Sequence, residues 1–349
     1  MARARIEFSS LKPSTHKFSF IIPARPGCYP RVAIEALRRQ GIPNAETEVL
    51  ISYGLRPSVQ RNEAAARATG EFLYFLDDDS EVDAANLALI PDLIERFGVP
   101  ADQLVAGGAI ALPHGTSDFQ RSLYFALSSS LGMGPYRSRV RPLGEPRFSC
   151  ERNLILANLI VSRRLFLESK GFDARLYPGE ECQWLKRVAA AGVRPIYHPG
   201  LVCYRPHRPD TRAVFHMGYS YGAGRARHFF EGVRPLDILL AVPSGLVLVT
   251  ALAVLGHVPS QAALLLYASV VILAAVAAVW GKHSWRQRIG HTFRTAGLLP
   301  VIHYGYGLGF LVGMTRKIVR WSHPETLADV HLHRVQPFAL DLPGRYAIS

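Results

Sequence analysis

Cysteine and acid are scarce in this 349-residue chain, and each shortage closes off a class of protein. The four cysteines, Cys28, Cys150, Cys182 and Cys203, show no paired C-x-x-C spacing, so neither a zinc site nor a disulfide framework is signalled. A reducing compartment fits best. Residues 1–17 carry basic side chains with no apolar stretch behind them, so no cleavable signal peptide is expected. Asp and Glu number 27 against 40 Lys and Arg, a formal charge of +13. Such an excess suits anionic lipid, phosphate-bearing ligands or nucleic acid. A nucleic-acid partner is not expected, because no recognition motif or aromatic-basic platform accompanies the charge. The mean hydropathy is nevertheless slightly positive. A chain this basic reaches that value only if its apolar residues are segregated into a part of their own.

What the chain does possess is an apolar run, Phe72 to Leu76, that stops on Asp77-Asp78-Asp79. The run reads as a buried strand. Adjacent like charges repel, and a half-buried set is tolerated mainly where a hard divalent cation neutralises it. A solvated acidic turn, or a cap for the following helix by Asp83, is the plainer alternative. Upstream, residues 18–23 form a strand closed by Pro23, residues 30–40 a helix ended by Gly41, and residues 48–52 a second strand. Ser58 is placed to cap a helix running to Gly70. Strands alternating with helices at this spacing predict an α/β domain with a parallel sheet. Downstream, residues 84–97 predict a helix and 104–112 a strand. Residues 132–149, rich in Gly, Pro and Arg, predict a mobile basic loop. Residues 158–161 predict a strand, 163–170 a short helix, 179–191 a helix opening on Glu180-Glu181, and 193–202 another strand.

Two long uncharged runs follow. Residues 236–256 carry only Asp237, at the entrance, and residues 261–280 carry no charge. Each reaches the roughly 20 residues that a helix needs to cross about 30 Å of hydrocarbon; a buried core hairpin is the alternative. Arg225, Arg227 and Arg234 precede the first run, and Lys282, Arg286, Arg288 and Arg294 follow the second. The positive-inside rule then predicts a multi-pass protein of the cell membrane with its N-terminal domain in the cytoplasm. Residues 296–314 are apolar but contain Pro300, His303, Tyr304 and several glycines, with basic residues (Arg294; Arg316, Lys317, Arg320) on both sides. They are expected to be interfacial or re-entrant, with a third span as the alternative.

Over residues 18–228 the pattern resembles the family 2 glycosyltransferases of the GT-A fold, in their membrane-bound bacterial or archaeal type. The resemblance rests on Ser19-Phe20-Ile21-Ile22-Pro23-Ala24, on Arg61-Asn62 with Gly70-Glu71 and Phe75-Leu76-Asp77-Asp78-Asp79, and on Gly171-Phe172-Asp173 followed by Gly179-Glu180-Glu181 and Trp184-Leu185. It implies a nucleotide-diphospho-sugar transferase domain, Rossmann-like, over residues 18–230. Around it lie an N-terminal extension (1–17), a membrane region (231–321) and a C-terminal tail (322–349). Carried over residue by residue, the resemblance implies that Pro23, Ala24, Arg25, Arg61, Asp77 and Asp78 contact the nucleotide. Asp79 and Asp77 would hold Mg²⁺ or Mn²⁺ on the diphosphate. Glu181, with Glu180 as rival, would be the general base. The second acid of this motif is ordinarily Asp, so Glu181 is a departure. His207 is a candidate third metal ligand or, alternatively, a surface histidine, and Arg212 and Arg225 are candidate phosphate contacts. Acids in the first turn of a helix also complement its dipole, whatever their chemistry.

The expected activity is inverting transfer of a sugar from a nucleotide-diphosphate donor to a hydroxyl or phosphate acceptor, with a membrane lipid or lipid-linked partner. The competing expectation is a catalytically impaired, membrane-tethered nucleotide-sugar-binding or scaffold protein. Its support is the Glu181 departure and the lack of acids near Ser52-Tyr53-Gly54, where the family has them.

Overall fold

The computed structural model describes residues 16–229, 241–280, 285–318 and 331–334. The chain begins with β1 (His16–Ala24), α1 (Arg31–Arg39), β2 (Thr47–Tyr53), α2 (Pro57–Arg67) and β3 (Gly70–Phe75). As the alternation predicts, β1 pairs in parallel with both β2 and β3. These strands are buried on both faces, which is why they read as continuous apolar runs. Phe20, Ile22 and Tyr74 face the layer that holds α1, whereas Ile21, Leu73 and Phe75 face the layer that holds α2. Ser58 does not cap α2. The helix starts at Pro57 after an extended Arg56, and Ser58 lies buried within its first turn.

The chain continues through β4 (Glu81–Val82), α3 (Ala85–Phe97), β5 (Val105–Ala111), α4 (Asp118–Ser128), β6 (Arg147–Phe148), β7 (Leu159–Ser162), α5 (Arg163–Glu168), α6 (Glu180–Ala190) and β8 (Ile196–Tyr204). Gly98 closes α3 with a left-handed φ of 58°, and a Ser117–Gln120 capping box opens α4. The sheet is mixed, not parallel throughout, because β7 lies between β3 and β5 and runs antiparallel to both. A parallel neighbour needs a helical crossover back over the sheet. After β5, α4 instead turns away to pack on a C-terminal helix, so the chain re-enters the sheet from the opposite end. The predicted basic loop is more ordered than its composition suggests. Residues Gly134–Arg139 form a 3₁₀ turn that buries Arg139.

Beyond β8 come α7 (Thr211–Phe229), α8 (Val242–Val254), α9 (Val258–Val279), α10 (Trp285–Ile318) and β9 (His331–Arg334). The full strand order is β4-β8-β5-β7-β3-β1-β2-β9, with β6 pairing β8. The predicted tail thus includes an edge strand, since β9 pairs antiparallel with β2. The rest of that tail, residues 1–15, Arg234, the start of the first apolar run with Asp237, Lys282 and Arg320 lie outside the described residues.

The second apolar run is α9, of mean hydropathy 2.6 and mostly exposed. The described part of the first run is only the 13-residue α8, short of what a span requires. Among the described residues, two helices, α9 and α10, are long and apolar enough to cross a membrane. Residues 296–314 lie within one continuous helix, α10, with Pro300 inside it. Small residues explain how that helix is held. A Cβ on Gly222 of α7 would meet the Tyr306 carbonyl at 2.0 Å, and one on Gly309 of α10 would meet the Tyr219 carbonyl at 2.0 Å. Only glycine allows the two helices to approach so closely. Toward its start α10 is tied to α4, through His291 to Ser122 (2.9 Å) and Thr295 to the Ser122 carbonyl (3.2 Å).

Candidate active site

Asp77 follows β3 at the carboxyl end of the sheet, where ligands of open α/β folds bind. Its Oδ1 accepts a hydrogen bond from Arg61 Nη2 at 2.7 Å, and its Oδ2 pairs with Arg205 Nη1 at 2.7 Å. Arg61 comes from α2 and is 4 % exposed. Its other arm, Nη1, reaches Glu180 Oε1 at 3.3 Å. One guanidinium therefore joins the acid corner to the first turn of α6. Burial works against the charge on Asp77, but Arg205 and Arg61 outweigh it and hold the carboxyl below its ordinary range.

Neighbouring residues fix this alignment. Asn62 donates through Nδ2 to the Phe172 carbonyl (2.8 Å) and accepts from the Phe172 N–H (2.9 Å). Gly171, at φ 55°, passes so close that a Cβ there would lie 2.6 Å from Asn62 Oδ1. Beneath them Phe75, Phe166, Phe172 and Trp184 pack ring against ring, with centroids 4.8–6.0 Å apart. The Arg61-Asn62 pair thus spans two jobs: Arg61 pairs with the acids and Asn62 fixes the turn that leads to α6.

The two glutamates are held differently. Both oxygens of Glu180 are engaged, Oε1 by Arg61 and Oε2 by the Gly179 N–H at 3.0 Å. Burial raises its pKa, Arg61 works against the rise, and Glu181 adds to it. Among the described residues Glu181 is engaged through Oε1 alone, by Arg139 Nη1 at 3.1 Å and the Cys182 thiol at 3.6 Å. Arg139 is fixed in turn by the Arg152 carbonyl (3.2 Å) and the Glu151 carbonyl.

The remaining predicted residues divide. Pro23 and Ala24 end β1 beside Ser52 and Tyr53, and Gln60 Nε2 donates to the Ala24 carbonyl at 2.8 Å and also to the Ser52 carbonyl. Arg25 and Asp78 are exposed beside them. Arg212, in the first turn of α7, is exposed and joins none of the ion pairs of this corner. Arg225 and Arg139 both lie over the Tyr136 ring, at 5.1 and 5.3 Å, so Arg225 sits with the Arg139–Glu181 pair and not at the acid corner. His207 stacks on Tyr124 at 6.1 Å, with Nε2 buried and without a hydrogen-bond partner among the described residues. Burial, with Arg205 and Arg208 nearby, lowers its pKa to about 4, so it is neutral at pH 7.

Asp77, Asp79 and His207 do not form a metal centre as they stand. Among the described residues no group of three His, Cys, Asp or Glu side chains is placed to hold a metal ion. Arg205 instead spans both acids, with Nε 2.5 Å from Asp79 Oδ1. In this arrangement the corner fits a guanidinium, not a divalent ion. Arg205 and Arg139 are the site residues that sequence reasoning missed. The available signal was charge balance, since the half-buried Asp77 and Asp79 and the buried Glu180 and Glu181 require cationic partners.

The class these features define is a mixed α/β domain with an acid corner at the carboxyl end of the sheet. In sequence it is related to glycosyltransferases. Over 170 residues the chain is 28% identical to the pre-mycofactocin glycosyltransferase of Mycobacterium tuberculosis, in strains CDC 1551 and H37Rv alike, covering 49% of this chain and 34% of the relative. It thus spans about a third of the length of the curated relatives it matches. No family model matches the chain. Crystal structures of S. aureus TarS 1-349 are similar at TM-score 0.39 with UDP-GlcNAc bound (12% identity, 87% of this chain, 92% of that one) and 0.38 with UDP bound (13%, 90%, 96%).

Proposed function

We propose that the chain is a membrane-anchored inverting glycosyltransferase using a nucleotide-diphosphate sugar. The observation that carries this reading is the Arg61 bridge between Asp77 and Glu180, because it sets a strand-end acid corner against a second pair of acids. The nucleotide would lie across the ends of β1 and β2, over Pro23, Ala24 and Arg25, with its diphosphate toward Asp77 and the Arg61 and Arg205 guanidiniums. Glu181 is the better general base, since its Oε2 is not committed to a hydrogen bond while both oxygens of Glu180 are. The acceptor hydroxyl gives its proton to Glu181 as its oxygen attacks the anomeric carbon. The bond from that carbon to the diphosphate breaks on the far side, and the electron pair leaves with the nucleotide. A single displacement of this kind inverts the sugar. Mg²⁺ or Mn²⁺, when bound, would neutralise the leaving diphosphate.

The exposed apolar faces of α8 and α9, including Leu252, Leu265, Leu266 and Leu273, support a membrane location and an acceptor presented at its surface, either a lipid or a lipid-linked sugar. Arg225 and Arg227, ahead of the apolar helices, support the cytoplasmic side for the catalytic domain. A second reading, a nucleotide-sugar-binding protein without turnover, is favoured by the arginines that hold Glu181 and Asp79. Screening nucleotide sugars for thermal stabilisation, with slow donor hydrolysis measured alongside, tests both. Stabilisation with hydrolysis supports the enzyme, stabilisation alone the binding protein, and no stabilisation by any nucleotide sugar counts against either.

A further inference from the structure

We propose that Arg205 is the resident cation of the Asp77–Asp79 corner, and that a divalent ion reaches those carboxylates only by displacing it. The proposal rests on the reading of this cleft as a nucleotide-sugar site. Arg205 follows directly on β8, with its N–H bonded to the Ala111 carbonyl at 3.0 Å. The backbone is anchored, while the side chain crosses to the other acid-bearing segment and closes on it with two contacts, Nη1 to Asp77 Oδ2 (2.7 Å) and Nε to Asp79 Oδ1 (2.5 Å).

Those contacts use the faces of the carboxylates that a metal would need. Mg²⁺ sits about 2.1 Å from its oxygen ligands, which would bring it to roughly 4 Å from the guanidinium nitrogens on the same oxygens, close enough for strong repulsion between like charges. Ion and arginine therefore compete for the same two carboxylates. Arg61 cannot be the group that yields, because it is buried and tied to Glu180 as well as to Asp77. Among the described residues, the ion pairs of the Arg205 side chain are with Asp77 and Asp79 alone. Two residues along the same segment, His207 Nε2 is buried with no partner among the described residues, an acceptor that the present arrangement leaves unused.

Displacement has a consequence for order of binding. A guanidinium released from two aspartates carries its full charge toward the opening of the cleft, where a diphosphate would accept it bidentately. The metal should bind weakly by itself and more tightly once a nucleotide diphosphate is present to receive Arg205, and by linkage each ligand should favour the other.

The test is titration of the full chain with Mn²⁺ alone, followed by electron paramagnetic resonance of the free ion, for the parent chain, Arg205→Met and Arg205→Gln. Both variants are expected to bind Mn²⁺ at least about tenfold more tightly than the parent, and adding Asp79→Asn to either should abolish the gain. Equal or weaker binding in both variants, or no binding in any chain, overturns the proposal. Gln retains hydrogen-bonding capacity without charge, so loss of fold in the Met variant does not remove the test. Nucleotide binding, read in parallel by melting temperature with UDP and a chelator, separates the two failures. If UDP stabilises while the Arg205 variants gain nothing for Mn²⁺, only this inference fails. If UDP and every other nucleotide diphosphate leave the melting temperature unchanged, the nucleotide-site reading fails with it.

Discussion

Arg61 touches Asp77 at 2.7 Å and Glu180 at 3.3 Å, joining residues 103 positions apart (180 − 77) through a side chain that is 4 % exposed. Removing it leaves two carboxylates facing each other with much of their neutralising charge gone. Arg61→Met is expected to cost roughly 3–5 kcal/mol of stability, measured by denaturant unfolding. Arg61→Lys, which cannot reach both acids with a fork, should recover only part of the loss.

Gly171 holds the turn into α6 at φ 55°, with Asn62 Oδ1 where a Cβ would go. Gly171→Ala should destabilise by roughly 1–3 kcal/mol from backbone strain and the clash together. In an Asn62→Ala background the clash component should disappear, so the two substitutions together should cost less than their sum. A double-mutant cycle by chemical denaturation reads this directly.

His207 supplies a pH dependence. Its folded pKa is about 4, against an ordinary value of 6.5, because burial disfavours the charged form. Between those values the unfolded chain takes up a proton that the folded chain does not. The His207 contribution is therefore intact above pH 6.5 and is lost as the pH falls toward 4, by at most roughly 3 kcal/mol. Unfolding curves at pH 7.5 and 5 should show the drop, and His207→Gln should flatten it.

The α7–α10 contact predicts a contrast between two glycines of one helix. Gly309 abuts the Tyr219 carbonyl, whereas a Cβ on Gly297 meets nothing within 4 Å. Gly309→Leu should destabilise by about 1–3 kcal/mol or more through overpacking, and Gly297→Leu should be neutral or slightly stabilising. Thermal melts of the two variants decide it.

Much of the site was legible in the sequence where a local rule applied. The apolar run ending at Asp77 could only be a strand terminus, and two glutamates after Gly179 could only open a helix. Arg139 and Arg205 escaped because their contacts are set by the fold: they reach Glu181 and Asp79 across 42 and 126 positions (181 − 139; 205 − 79). The Gly- and Pro-rich setting of Arg139 also disguised a buried residue as a solvated one. The antiparallel β7 was hidden for a related reason. Strand direction depends on whether the preceding helix crosses the sheet, and α4 leaves it for α10, whose hydrogen bonds to it span 169 and 173 positions. In α10 itself, glycines and Pro300 suggested a break, yet the glycines are what allow the helix to lie against α7.

The most direct test is the pair Glu181→Gln and Glu180→Gln, assayed for sugar transfer and for donor binding. With Glu181 as the base, Glu181→Gln should lower the transfer rate by at least about 100-fold with donor affinity unchanged, while Glu180→Gln should chiefly weaken the fold and the Arg61 alignment. A Glu181→Gln protein that transfers sugar at the parent rate would contradict the account.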